Sequence, residues 1–196
     1  VLQELLTNCW KGHPYGRPIL GFESTLKRIG SNQMHSFHRR RYLGENCCLS
    51  IAGRIPKDIR SFVSNSRLSE LNHQNLKNSI SKSNKPLLFK RDRLEVEIER
   101  LETSRLLMAW PMSPASDQEM VMGADIATSL LSEGRRSRLV QHLREDLQLV
   151  ESIDLDLTVL EQGSLVVLEA CCNQEKIKQV EEEINNVLTN SLYKAA

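Results

Sequence analysis

Two strand-like runs near the end of the chain are joined by very little. Ile153, Leu155, Leu157 and Val159 alternate with polar residues, and Leu165 to Cys172 follows as a nearly continuous apolar run. Between them lies Glu161-Gln162-Gly163, a short connection containing glycine. A connection this short joins only antiparallel neighbours, because a parallel crossover needs a dozen residues or more. Any fold for this chain must therefore contain an antiparallel strand pair.

The sequence around that hairpin supplies the other layers. Leu94, Val96 and Ile98 alternate with Glu95, Glu97 and Glu99, which predicts a strand with one buried and one wet face. Arg105 to Trp110 predicts a central strand, ended by Pro111 and Pro114. Residues 115–132 predict a helix with Met120, Ala124, Ala127 and Leu131 on its inner face. Leu139, Leu143, Leu147 and Val150 predict a second helix, and Ile177, Val180, Ile184 and Val187 a third. The order β-β-α-α-β-β-α predicts an α+β fold, a sheet with helices packed on one face.

The first part reads differently. Val1, Leu5 and Cys9 recur at helical spacing, and the chain opens Val1-Leu2-Gln3 with no initiator methionine. The expectation is a start inside a helix of a longer protein, with any targeting signal upstream. A turn-rich loop, Gly12 to Pro18, follows. Glu23–Ile29 and Ser31–Tyr42 predict two short helices, with Ser31 as N-cap of the second. Residues 46–53 predict a buried strand ended by Gly53, and Pro56 predicts the first turn of a further helix that fades near Leu71. From residue 72 the chain is polar, rich in Asn, Ser and Lys, which marks a linker. The expected division is 1–71 as one domain's C-terminal part, 72–92 as linker, and 93–196 as the larger part of a second domain.

Composition removes several function classes. The chain has 26 basic and 25 acidic side chains, a formal charge of +1, so no whole-molecule field favours nucleic acid or anionic lipid. Aromatic residues are 5%, too few for a base-stacking platform. No apolar run approaches the roughly 20 residues that span a bilayer. Neither a nucleic acid nor a membrane partner is expected. The five cysteines, Cys9, Cys47, Cys48, Cys171 and Cys172, show no C-x-x-C spacing. They predict buried thiols in a reducing, cytoplasmic setting.

No complete catalytic centre is legible. His35 and His38 share a helix face, but Arg39, Arg40 and Arg41 follow directly and would repel a cation. There is no H-x-x-E-H motif, no G-x-S-x-G and no phosphate-binding glycine loop. Asp154 and Asp156 read as solvent-facing strand residues. Arg135, Arg136, Arg138 and Arg144 surround the start of a helix, and their planar forks suit a substrate carboxylate or peptide backbone. The expectation is no catalytic and no metal-binding residue in this chain.

Three stretches together carry a resemblance. They are Gly12-His13-Pro14-Tyr15-Gly16-Arg17-Pro18-Ile19-Leu20-Gly21; Tyr42 through Gly53 with Pro56; and Ser137-Arg138-Leu139 followed by Leu143-Arg144-Glu145-Asp146-Leu147. In this order and spacing they resemble the pitrilysin/insulinase family of zinc metallopeptidases, which includes the mitochondrial processing peptidases. The resemblance implies paired, related α+β domains, with the zinc ligands in the first domain upstream of Gly12. It implies peptide hydrolysis, peptides as substrates, zinc in the parent protein but none bound by this chain, and a homodimer or a heterodimer with another family subunit.

By the same resemblance Arg144 is a candidate substrate-binding residue, and Arg138 of the same arginine cluster is taken with it. Many relatives carry a tyrosine seven residues after the arginine matched by Arg144. This sequence has Glu151 there, and Gln148 in place of the family's glycine. A carboxylate does not donate a hydrogen bond as a phenol does. The expectation is the non-zinc-binding portion of a zinc metalloendopeptidase, part of a substrate chamber and inactive alone. The alternative is an inactive family member acting as partner or peptide-binding subunit.

Overall fold

The computed structural model describes residues 1–71, 87–99 and 102–193. Two compact units are present: Val1–Arg17 with Lys85–Ala196, and Pro18–Asn84. The polar stretch expected as linker falls, for residues 72–86, outside the described residues.

The larger unit is built on three antiparallel strands, β1 (Ser104–Met112), β2 (Ser152–Thr158) and β3 (Ser164–Cys172), in the order β1-β3-β2. The hairpin expected between the last two strands is β2–β3. β3 is central, so its residues have neighbours on both sides. Three cross-strand rows face the main core: Leu106–Ala170–Ile153, Met108–Leu168–Leu155 and Trp110–Val166–Leu157. Leu168 and Ala170 are fully buried there. Pro111 lies within β1 and does not end it. An outer strand tolerates a residue without an N–H, and β1 is one.

Helices cover that face, as the α+β reading requires. α5 (Gln118–Ser132) packs along β2, a π-helix spans Val140–Asp146, and α6 (Ile177–Tyr193) contributes Val180 and Ile184 to the core. The buried side of α5 differs from expectation. Ala124, Thr128 and Ser132 are buried and Leu131 half-buried, whereas Met120 and Ala127 are exposed. Small residues let the α5 backbone approach β2, and both hydroxyls are satisfied: Thr128 donates to Asp125 O at 2.8 Å and Ser132 to Thr128 O at 3.2 Å. The outer side of α5 exposes Met122, Ile126 and Leu130.

α1 (Leu2–Cys9) covers one corner of the sheet's other face. Cys9 and Trp10 close over Leu165, flanked by Leu5, Leu6, Leu87, Phe89, Ala109 and Val167. The strand expected at Leu94–Ile98 does not form. Among the described residues the segment pairs with no strand, and Leu94 and Val96 are exposed. Alternation prepares a segment for a sheet, but only a partner's backbone makes it a strand.

The smaller unit contains α2 (Glu23–Leu26), α3 (Ser31–Arg41) and α4 (Ile59–Ser64). Gly30, not Ser31, is the N-cap of α3, and the Gln33 side chain accepts its N–H at 2.8 Å. The buried strand expected at 46–53 is absent. Gly44–Asn46 is a 3-10 turn, and residues 47–52 carry no regular structure. Leu49 and Ile51 are 56% and 43% exposed, and Cys47 and Cys48 are exposed too. Cys9 and Cys172 are buried and Cys171 half-buried, so burial of all five thiols does not hold. α4 begins at Ile59, with Asp58 at the N-cap position but making no side-chain cap hydrogen bond, three residues beyond the start expected from Pro56. Among the described residues, no helix is long and apolar enough to cross a membrane.

Candidate functional site

Arg138 and Arg144 lie on the connection that carries the chain from α5 into β2. α5 stops at Gly134, whose φ of +80° turns the backbone out of the helix. Ser137 then starts the next helix. Its hydroxyl donates to Gly134 O at 2.8 Å, and its own carbonyl accepts from the Gln141 N–H at 2.8 Å. Leu139 and Leu143 are fully buried, which anchors this helix on the core. With those side chains inward, Arg138 points to solvent and has no ion-pair partner among the described residues.

The turns that follow are wider than α-helical. Leu147 N–H donates to His142 O at 3.0 Å and Leu149 N–H to Leu143 O at 2.9 Å. Gln148 has φ +51°, the left-handed region that closes a helix end. Lys176 Nζ donates to its carbonyl at 3.3 Å. Glu151 then starts β2's pairing by donating its N–H to Cys171 O at 2.8 Å, with its side chain exposed.

Arg144 is exposed and belongs to an ion-pair group that the sequence did not suggest. Its Nε lies 3.5 Å from Glu145 Oε1, while Arg135 Nη2 lies 2.9 Å from Glu145 Oε2. The Arg135 hydrogen bond, aided by the charges of Arg135 and Arg144, holds the Glu145 carboxyl below its usual range. The structure thus gathers Arg135, Arg144 and Glu145 and leaves Arg138 outside the group. His142 Nε2, 2.8 Å from Glu183 Oε2, ties this helix to α6. Two exposed guanidiniums remain able to take a carboxylate or peptide carbonyls.

The donor set does not, among the described residues, gather as a zinc site would require. Among the described residues, no three His, Cys, Asp or Glu side chains converge. His38 stacks on Tyr42 at 4.4 Å, His142 faces Glu183, and both ring nitrogens of His13 are engaged. His73 lies outside the described residues. Asp154 and Asp156 are exposed on β2, as expected.

A family profile described as "Peptidase M16 inactive domain" matches residues 28–194. Among curated proteins, an uncharacterized zinc protease of Rickettsia felis is 23% identical over 96% of this chain and 44% of its own length. An uncharacterized zinc protease of Mycobacterium leprae is 25% identical over 91% of this chain and 40% of its own. Among solved structures, a peptidase M16 inactive domain from Pseudomonas fluorescens superposes with a TM-score of 0.73 at 16% identity. It covers 98% of this chain and 46% of that one. A protease from Helicobacter pylori gives 0.67 at 17% identity, covering 93% and 45%. The chain spans less than half the length of each.

Proposed function

Because the chain belongs to the peptidase M16 family, as a non-catalytic part of such a protein, we propose that it forms one wall of the substrate chamber of a pitrilysin-type zinc metalloendopeptidase. In this reading residues 1–71 are the C-terminal part of a first peptidase-like domain and 93–196 the larger part of a second. The zinc ligands belong to the rest of the longer protein. Zinc, when bound there, polarises the scissile carbonyl and activates water. This chain's residues hold the peptide. Arg138 and Arg144 offer forked donors to carbonyl or carboxylate groups of an extended substrate. A second family subunit, identical or not, closes the chamber.

The observation that carries this reading is the family match over residues 28–194, combined with two exposed arginines on a helix anchored by Leu139 and Leu143. The test uses the full-length protein. Arg138→Ala and Arg144→Ala should each raise KM for an unfolded reporter peptide about tenfold, the loss of a charge-assisted hydrogen bond. Unchanged KM in both variants would remove the arginines from the site. Absence of both bound zinc and peptidase activity in the wild type would sink the enzyme reading.

Glu151 favours a second reading, an inactive family subunit that binds peptides or a partner. The Glu151 carboxylate is exposed and stands where the family resemblance implies a tyrosine. Stoichiometric zinc and peptide cleavage by the purified full-length protein alone would dispose of it.

A further inference from the structure

The loop after α1 is seated on the β2–β3 connection. His13 is 4% exposed. Its Nδ1 accepts the Tyr15 backbone N–H at 3.3 Å, capping the single 3-10 turn Pro14–Gly16. With Nδ1 accepting, the ring proton sits on Nε2, which donates to Gln162 Oε1 at 3.3 Å. Gln162 returns a bond, its backbone N–H donating to Tyr15 Oη at 3.2 Å. The two rings meet edge to face, 4.5 Å between centroids. The seat is close, most rigidly at Gly16, which faces backbone. A Cβ on Gly16 would lie 2.7 Å from Trp10 O, and one on Gly163 would collide with the Leu87 side chain. Directly before the loop, Trp10 is 2% exposed against the sheet.

We propose that His13 and Tyr15 are positioning residues that latch the Gly12–Arg17 loop to the Glu161–Gly163 hairpin. Apolar packing alone would let the loop slide. Two oppositely directed hydrogen bonds fix both its position and its rotation, and α1, continuous with the loop, is fixed with it. The latch holds α1 and its loop to the sheet, and on the peptidase reading α1 leads toward the zinc-bearing part of the longer protein. It thereby sets the arginine-bearing wall relative to the zinc centre. That last consequence rests on the peptidase reading; the latch does not.

The experiment combines hydrogen exchange with kinetics on the full-length protein. Tyr15→Phe removes only the acceptor of the Gln162 N–H, so exchange at Gln162 should rise about tenfold. His13→Asn keeps a short-range acceptor for the Tyr15 N–H but does not reach Gln162. It should raise exchange across residues 161–163 similarly and lower kcat about fivefold, with KM within twofold. Gln162→Ala added to His13→Asn should do no further harm, because the two act on one bond. Unchanged exchange in both single variants would overturn the latch. Raised exchange with unchanged kcat would overturn the positioning role. A wild type without peptidase activity would sink the functional reading by itself, and the exchange result would still decide the latch.

Discussion

Gln148 occupies a backbone conformation that suits glycine. Its φ of +51° puts a side chain where Cβ crowds the carbonyl, at a cost of about 1–2 kcal/mol. The family resemblance implies a glycine where Gln148 stands, and the backbone angle supplies the reason. Gln148→Gly should raise stability by about 0.5–1 kcal/mol, the relief of strain outweighing the added chain entropy. A rise in the urea midpoint with unchanged slope is the measurement, and a lowered midpoint would contradict it. The cysteines divide in the same residue-by-residue way. Burial pushes the Cys9 and Cys172 thiols above their usual value, whereas Cys47 and Cys48 are exposed. Alkylation in the native state, mapped by mass spectrometry, should modify Cys47 and Cys48 well before Cys9 and Cys172. Arg144 was legible as a candidate through the family resemblance, and Arg138 through the forked donors of the arginine cluster around it. Glu145 as the shared partner of Arg135 and Arg144 was not, because pairing depends on the rotamers of three side chains.

Among the elements, the outcome turned on what each segment packs against. β3 and the hairpin follow from the sequence because their apolar rows meet across a sheet; β1 follows as a strand, but at the edge of the sheet and not at its centre. Leu94–Ile98 carries an equally clean alternation, yet among the described residues no strand pairs with it and Val96 is exposed. Residues 47–52 fail for the same reason. The π-helix was invisible, since one widened turn leaves leucines at nearly α-helical spacing. The inner face of α5 was misjudged because Thr128 and Ser132 bond back to their own helix and enter the interior as small residues. Two substitutions separate the packed from the unpacked. Leu168→Ala, at the centre of the row Met108–Leu168–Leu155, should cost about 2–5 kcal/mol in denaturant unfolding. Met122→Ala, 58% exposed on α5, should stay within about 0.5 kcal/mol. Similar losses at both sites would mean the outer side of α5 is covered in solution.

At the scale of the whole molecule, two exposed ion pairs give stability a modest pH dependence. Glu145 is held below its usual 4.5 by the Arg135 hydrogen bond, and Asp92 below 3.8 by Lys90. A lowered folded value gives stability that is present above the unfolded value and lost as pH falls through the folded one. Stability should therefore decline below about pH 4.5, and Glu145→Gln should shallow that decline in a urea-midpoint series against pH. An identical acid limb in the variant would show that the pair contributes nothing. The α+β architecture and the family were both readable from sequence, the first from periodicity and the second from three spaced motifs. The seating of α1 on the far side of the sheet was not, because Tyr15 and Gln162 are 147 positions apart. The strand order β1-β3-β2 also prescribes a sequence of events. β2 and β3 are closed by residues 159–163, whereas β1 and β3 enclose residues 113–163, a loop about ten times longer. The entropy of closing the longer loop is greater by about 2 kcal/mol. The hairpin is thus the natural nucleus, β1 is recruited to it, and α1 docks after Leu165 is already in place. Substitutions in the β2–β3 rows should slow folding, while those in the α1 contact, such as Trp10→Ala, should chiefly speed unfolding.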